Sequence, residues 1–237
     1  MSARETDTAR ELNPRPAPLS SVAAVAVTVV VVLALAESEQ VVVTWLALEL
    51  TGLAVLCLGV VGRRRGYPLV GPSVAAIGVA LCGVAVGGFL TEMTPFSDLL
   101  RLLPGLLGVA VLTAALLPVR GKGSRLLVKF GAGGLFTCVV LAGLFETADL
   151  PLLLGATVGS VLAWDAADNA VGVGTQLGRH ARTWRLEVTH LLSTAVVGLA
   201  GILAVWGVRQ VATTGLSLPA FAMVFLAALL LVGALRW

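Results

Sequence analysis

The side chains that could carry chemistry are concentrated in residues 164–190. This segment contains two Asp, one Glu, three Arg, both His, one Asn and one Gln, in a chain that is otherwise largely apolar. Ionisable groups gathered next to apolar helices indicate a binding site, a metal site or a set of interhelical contacts. The predicted interaction or structural site consists of Trp164, Asp165, Asp168, Asn169, Gln176, Arg179, His180, Arg182, Arg185, Glu187 and His190.

One interpretation of the segment is a metal site. Glu187 and His190 have the Glu-x-x-His spacing that supplies two ligands from one helix in di-iron bundles. Asp165, Asp168 and His180 could add further ligands. Such bundles need the motif on two helices, however, and this sequence contains it once. We therefore predict no metal, no cofactor and no catalytic residue, and the metal site stays as an alternative.

Two further interpretations concern binding at the membrane surface. Arg179, Arg182 and Arg185 could bind a lipid headgroup or a phosphate, because clustered arginines beside a bilayer attract anionic groups. The same polar surface could instead dock a cytoplasmic protein. Neither alternative requires a reaction.

A structural interpretation explains the same charges without a ligand. The chain must reverse between the sixth and seventh apolar runs, and residues 172–174, Gly-Val-Gly, are the natural place for a turn. Counted outward from this turn, Asp168 comes level with Arg179. Asp165 likewise comes level with Arg182. The sequence therefore predicts a helical hairpin that projects into the cytoplasm and is aligned by charge pairs.

Glu49 is a second candidate, separate from this segment. It is the only carboxylate deep inside a predicted span. An unpaired charge at that depth is costly, so an intramembrane acid is either hydrogen-bonded inside the bundle or takes up a proton or an ion. We keep proton or ion coupling at Glu49 as the alternative to a buried structural glutamate.

The composition places these residues in a membrane protein. Hydrophobic residues make up 58% of the chain and charged residues 12%, with a mean hydropathy of +0.99, whereas soluble domains carry about 25% charged residues. The net charge of +3 belongs mostly to arginines beside apolar runs, which argues against nucleic acid as a partner. Cys57, Cys82 and Cys138 are isolated inside those runs, which is typical of buried thiols and not of a disulfide or zinc framework.

About twenty apolar residues cross a bilayer as a helix, and on that measure the chain has eight spans. They are predicted at 20–36, 41–62, 69–90, 99–119, 126–145, 150–170, 188–212 and 216–235. Residues 1–19 are polar and proline-bearing, which is typical of a disordered tail. The predicted fold is an all-α, polytopic transmembrane bundle in which residues 20–237 form one domain.

The charges of the loops alternate in sign from one end of the spans to the other. Bases collect in the tail and in residues 63–65, 120–125 and 179–185, whereas the opposite loops hold mainly acids, with Arg101 and Arg209 as the exceptions. Under the positive-inside rule, the basic end is cytoplasmic. We therefore predict a multi-pass protein of the cell membrane with both termini in the cytoplasm.

Small residues recur at four-residue spacing in two of the spans. These rows are Gly83 and Gly87 in the third span and Gly155, Gly159 and Ala163 in the sixth. Such rows allow helix backbones to approach closely in a membrane. We predict that both pack inside the bundle, with a homodimer face as the alternative.

Part of the polar segment forms a recognisable pattern. Its positions are Trp164-Asp165, Asn169-Ala170, Gln176-Leu177-Gly178-Arg179, Ala181, Thr183, Arg185, Glu187 and His190. The pattern resembles the signature of an uncharacterised haloarchaeal family of multi-pass membrane proteins, in which Gly and Glu are usual where this chain has Ala167 and Asp168. That family has no established activity. The resemblance implies a subunit or accessory role beside a MoxR-type ATPase system.

The function predicted from the sequence is that of a non-enzymatic membrane scaffold or complex subunit. Its expected partners are the bilayer, other membrane or cytoplasmic proteins, and a second copy of the chain in a homo-oligomer. One alternative is a transporter or channel component that uses Glu49 and the polar hairpin. The other is a membrane-embedded enzyme that acts on lipid through the Asp, His and Arg side chains of the hairpin.

Overall fold

The computed structural model describes residues 15–36, 39–117, 123–145, 147–177 and 183–211. Within these ranges the chain forms seven α-helices and no strand. The helices are α1 (Pro18–Leu35), α2 (Gln40–Arg64), α3 (Val70–Glu92), α4 (Phe96–Leu116), α5 (Arg125–Leu144), α6 (Leu150–Leu177) and α7 (Trp184–Val211).

All seven helices are long and apolar enough to cross a membrane. Each corresponds to one of the first seven predicted spans. The eighth predicted span, 216–235, and the predicted tail up to residue 14 lie outside the described residues. The described chain is therefore all-helical, and its helices have the length and composition of membrane spans.

The starts of three helices follow from local sequence signals. Pro18 occupies the first turn of α1, where its missing N–H is no loss and its fixed φ favours the helix. Ser124 caps α5 by accepting a hydrogen bond from the N–H of Leu127 at 3.3 Å. Asp149 caps α6 in the same way, with its Oδ1 3.0 Å from the N–H of Leu152.

Glycines bring α2 and α3 into backbone contact. A Cβ atom at Gly59 would collide with the backbone of Ala75, and one at Gly78 would collide with the backbone of Leu56. These helices run antiparallel, since positions that rise along α2 meet positions that fall along α3. Close backbone approach through glycine is the usual way for membrane helices to gain packing contacts.

The α4–α5 pair is built in the same manner. A Cβ at Gly131 would lie 2.7 Å from the backbone N of Leu112, and one at Gly134 would lie 2.7 Å from the carbonyl oxygen of Pro104. α1 packs mainly against α6, also antiparallel, with Val31 over Gly159.

The predicted small-residue rows are only partly confirmed. Gly159 contacts Val31 and Ala163 is fully buried, as expected for packing inside the bundle. Gly83, Gly87 and Gly155 face no described atom within 4 Å of the Cβ position, so for them internal packing stays a prediction. α3 turns a different row, Gly71 and Gly78 among others, towards α2.

The helix break predicted at residues 172–174 is wrong. α6 continues through these residues to Leu177. Gly in a helix interior costs only about 1 kcal/mol relative to Ala, which packing outweighs. The glycine at 174 serves a close contact instead, because a Cβ there would collide with the carbonyl group of Arg15 in the segment before α1.

Buried apolar side chains form two clusters at different levels of the helices. The larger includes Leu46, Phe89, Leu106 and Leu135. The smaller includes Ala24, Leu112, Ala115, Val128 and Ala170, and it lies beside the polar residues of α6. The described residues up to 198 form one compact unit, whereas the remaining described residues, 199–211, are the last turns of α7 and belong to a second unit.

Candidate functional site

The first polar contact of residues 164–190 joins α6 to α7. It consists of Asp165, His190 and Thr194 and is referred to below as the Asp165 cluster. The Thr194 hydroxyl donates a 2.7 Å hydrogen bond to Oδ2 of Asp165. Nε2 of His190 lies 2.8 Å from the same oxygen, although without an aligned hydrogen bond to a described residue. All three side chains are partly exposed.

This geometry favours attachment of two helices over catalysis. A nucleophilic hydroxyl needs a base within hydrogen-bond reach, and that base must in turn be oriented by a third group. Here the Thr194 hydroxyl donates a hydrogen bond to the carboxylate of Asp165, and the imidazole of His190 contacts that carboxylate as well. The carboxylate is therefore shared by both side chains, and the hydroxyl has no hydrogen bond to an imidazole nitrogen among the described residues.

The second contact is referred to below as the α1 anchor and consists of Ser20, Asn169, Thr183 and Glu187. The carboxylate of Glu187 is fully buried. Its Oε2 accepts a 2.7 Å hydrogen bond from the backbone N–H of Ser20, and its Oε1 accepts a 2.7 Å bond from the hydroxyl of Thr183. Both carboxylate oxygens are thus occupied.

The position of Ser20 explains why an acid is needed there. Ser20 lies in the first turn of α1, where the backbone N–H groups have no partner inside the helix and the helix dipole is positive. Glu187 supplies both the missing acceptor and a negative charge, from another helix. The N-cap residue of α1, Ala17, has no side chain that could do so.

α6 holds the same end of α1 from a second side. Nδ2 of Asn169 donates to the Ser20 hydroxyl at 3.2 Å, and the N–H of Ala17 donates to the carbonyl oxygen of Ala170 at 2.8 Å. Three helices therefore meet at the α1 anchor.

Asp168 makes a weaker contact on the surface. Its Oδ1 lies 3.7 Å from Nε of Arg125, and both side chains are about half exposed. Exposed pairs of this kind contribute about 0–1 kcal/mol. The partners predicted for Asp165 and Asp168, namely Arg182 and Arg179, lie outside the described residues, as does His180.

The remaining predicted site residues do not join these contacts. Trp164 is 43% exposed on α6, and Gln176 is exposed near the end of the same helix. The guanidinium of Arg185 lies 5.3 Å from the ring centroid of Trp184 on its own helix. Among the described residues, no group of three or more His, Cys, Asp and Glu side chains is placed to hold a metal ion.

Glu49 is buried in a different environment. It lies on the face of α2 that carries Leu46 and Leu53, and its side chain is fully buried. Neither of its carboxylate oxygens has a hydrogen-bond partner among the described residues. The thiol of Cys82 contacts only the backbone oxygen of Glu49, with the sulfur at 3.7 Å.

A charged contact that sequence reasoning missed lies at the other end of α1. Arg101 of α4 is 4% exposed, and its Nη1 donates a 3.0 Å hydrogen bond to the carbonyl oxygen of Leu35. It also bonds the carboxylates of Asp98 and Glu39, at 2.9 and 3.3 Å. In the loop charge pattern Arg101 was only an exception to the rule that the opposite loops hold acids. Its burial and its hydrogen bond to the carbonyl oxygen of Leu35 identify it as a cap at the end of α1.

The hydroxyl partners at the site were missed as well. Ser20, Thr183 and Thr194 are ordinary residues in the sequence, and only folding brings Ser20 next to Glu187. A local signal existed for one of them, because Thr183 directly precedes α7 and lies one turn before Glu187.

Comparison with known proteins gives one match. Residues 82–232 match the model of a family described as Family of unknown function (DUF7519). No curated protein matches the chain. No solved structure matches it either. The matched range contains the polar residues of α6 and α7, whereas Ser20 and Glu49 precede it.

Proposed function

Since the chain belongs to DUF7519, a family of unknown function, we propose a role from its own side chains: it is a non-enzymatic membrane scaffold or a subunit of a membrane protein complex. One observation carries this proposal. Asp165 and Asn169 of α6 and Glu187 of α7 are engaged with other helices of the same chain, in the Asp165 cluster and the α1 anchor.

Groups engaged in this way support rigidity better than reaction. A catalytic carboxylate or imidazole needs a free position facing a substrate. Glu187 has none, because it is fully buried and both oxygens accept hydrogen bonds. A rigid set of apolar helices with partly exposed basic ends suits a subunit that holds other proteins in the membrane.

The finer topology belongs to the proposal too. We place the protein in the cell membrane as a multi-pass chain of eight spans, with both termini and a hairpin between the sixth and seventh spans in the cytoplasm. The sign of the loop charges supports this orientation. The resemblance to a haloarchaeal family supports a MoxR-type ATPase system as the partner.

Purification of the native complex tests the scaffold role. The tagged chain is extracted from its own cells in mild detergent, and the co-purifying proteins are quantified against the tagged chain. We expect at least one partner at a fixed stoichiometry, retained in Asp168→Asn and reduced when the basic segment is changed by Arg179→Gln with Arg182→Gln. Recovery of the chain alone at every detergent tested contradicts the proposal.

Glu49 favours a second candidate function, a component that moves protons or ions. A buried carboxylate without a partner is costly unless it binds a proton or a cation. In proteoliposomes that contain a pH-sensitive dye, this function requires a proton flux that Glu49→Gln abolishes. Glu92→Gln is the matched control, because Glu92 is an exposed acid whose Oε2 bonds the Trp45 indole. Equal flux in wild type and Glu49→Gln contradicts it.

An enzyme that acts on lipid is the remaining alternative from the sequence. It would draw on Asp165, His190 and the arginines before α7. It requires turnover of a phospholipid by the purified chain and its loss in His190→Ala.

A further inference from the structure

A cavity lies between α2 and α3 at the end of α2 that carries three consecutive arginines. Its volume is about 620 Å³, within the range of about 300–1,000 Å³ that ligand sites occupy. Its walls are apolar and narrow, formed by Leu56, Val60, Pro72 and Ala75 together with Gly59 and Gly71. The cavity with these walls is referred to below as the α2–α3 groove.

Two of the arginines line the groove. Arg63 and Arg64 form part of its wall, whereas Arg65 does not. None of the three forms an ion pair with any residue that the structure describes. Two positive charges with no counter-ion among the described residues therefore lie at the polar end of an apolar groove.

The turn between the helices fixes this arrangement. Gly66 has φ 93°, and the N–H of Tyr67 donates to the carbonyl oxygen of Gly62 while that of Gly66 donates to the carbonyl oxygen of Arg63. This is the Schellman arrangement, in which the turn itself satisfies the last carbonyl groups of a helix. The arginine side chains are therefore not needed to satisfy these carbonyl groups.

Two further features favour the binding of an anion at the level of the lipid headgroups. α3 begins at Val70, so the positive end of its dipole lies beside the groove residues Gly71 and Pro72. Tyr67 in the turn is 59% exposed, and exposed tyrosines of membrane proteins favour the headgroup region. The arginines are thus placed at the level where lipid phosphates lie.

We propose that the α2–α3 groove binds an anionic phospholipid, with its phosphate on Arg63 and Arg64 and an acyl chain against the apolar walls. Basic pockets between membrane helices bind anionic headgroups. The site does not depend on the proposed scaffold function, since it requires only that the chain lies in a bilayer.

Arginines at helix ends also set membrane topology. If that were their only role here, lipid binding should respond differently to their substitution. A purely topological charge acts wherever it lies near the helix end. The three arginines would then be equivalent for lipid, and the groove would contribute nothing. The proposed site distinguishes Arg63 and Arg64 from Arg65.

The test uses the purified full chain in mild detergent and native mass spectrometry. Dioleoylphosphatidylglycerol and dioleoylphosphatidylcholine are titrated separately. We expect the anionic lipid to bind about tenfold or more tightly than the zwitterionic one, and Arg63→Gln with Arg64→Gln to weaken it about 30-fold. Arg63→Gln alone should weaken binding about fivefold. Arg65→Gln is its matched control and should change the affinity less than about twofold, because it also removes one positive charge but outside the groove.

A second pair of variants tests the apolar part of the site. Val60→Trp fills the groove and leaves both arginines in place, so we expect loss of the anionic lipid. Val61→Trp is its control, because Val61 is 42% exposed and does not line the groove. If size-exclusion chromatography shows that Val60→Trp does not fold, Val60→Phe takes its place as a smaller addition.

Three results would overturn the proposal. The first is an equal loss in Arg65→Gln and Arg63→Gln, which would mean a diffuse charge effect. The second is unchanged binding in the filled-groove variant. The third is displacement of the lipid by inorganic phosphate at constant ionic strength, which would identify a site for free phosphate.

Discussion

Glu187 and Glu49 are both fully buried glutamates on apolar helices, yet the surroundings of their two carboxylates are opposite. Each oxygen of Glu187 accepts a hydrogen bond from another part of the chain. The oxygens of Glu49 lie among apolar side chains with no described partner. A buried acid that is fully hydrogen-bonded indicates a structural contact, whereas an unpartnered one indicates a group kept for another reason, because its burial destabilises the fold.

The same substitution at the two positions should therefore change stability in opposite directions. Glu187→Leu leaves the N–H of Ser20 buried without an acceptor and removes a charge from the end of α1. We expect the free energy of unfolding to fall by about 2–3 kcal/mol. Unfolding in mixed detergent, followed by circular dichroism, measures this change.

Glu187→Gln serves as the control at this position. Its amide oxygen still accepts one hydrogen bond, so about half of the loss should be restored. Wild-type stability in Glu187→Leu would mean that the α1 anchor contributes nothing.

Glu49→Leu should stabilise the protein. It replaces a polar group that has no hydrogen-bond partner among the described residues by an apolar one of similar size, and we expect the free energy of unfolding to rise by about 1–2 kcal/mol. The same unfolding experiment applies, with Leu50→Met as the control for a change of shape at the neighbouring position. A decrease in stability would show that the carboxyl group has a partner in the folded protein and that the contrast with Glu187 is false.

The Asp165 cluster should have a smaller effect. A double-mutant cycle of Asp165→Ala and Thr194→Val isolates the hydrogen bond between α6 and α7. Interhelical hydrogen bonds in membranes contribute about 0.6 kcal/mol on average, and we expect a coupling of this size. A coupling indistinguishable from zero would show that the helices are held by apolar contacts and by the α1 anchor alone.

The smallest effect is expected at Asp168. Asp168→Arg should place like charges together and lower the free energy of unfolding by no more than about 1 kcal/mol, since the pair is exposed. Adding Arg125→Asp should restore most of this loss. Restoration by Arg179→Asp instead would support the hairpin pairing predicted from the sequence.

The spans were the part of the fold that the sequence predicted best. Length and hydropathy located seven helices because every helix that crosses a bilayer needs about the same number of apolar residues. Length and hydropathy say nothing about rotation, so they did not predict that α3 turns the row of Gly71 and Gly78, and not that of Gly83 and Gly87, towards α2. Hydropathy is uniform around such helices, and only packing decides which face meets a neighbour.

The candidate site was predicted as a set of residues but not as a set of contacts. Asp165, Asn169, Glu187 and His190 were singled out by type, because polar groups are rare in this chain. Their hydrogen-bond partners could not be predicted from the sequence, since Ser20 lies 167 positions from Glu187 and belongs to no motif. The error at residues 172–174 has a related cause, because a glycine that permits a close contact looks like a glycine that permits a turn.

The two ends of α1 have a consequence for the order of assembly. Among the described helices α1 is synthesised before the others, yet the acid that caps its beginning is Glu187 on α7, and the base that caps its end is Arg101 on α4. During synthesis, α1 must therefore wait in the membrane with both ends uncapped, one until α4 has emerged and the other until α7 has emerged. Both ends of α1 are therefore satisfied only after α7 has emerged, and in a chain truncated before α7 the N–H of Ser20 would lack its acceptor although α6 would still pack against α1.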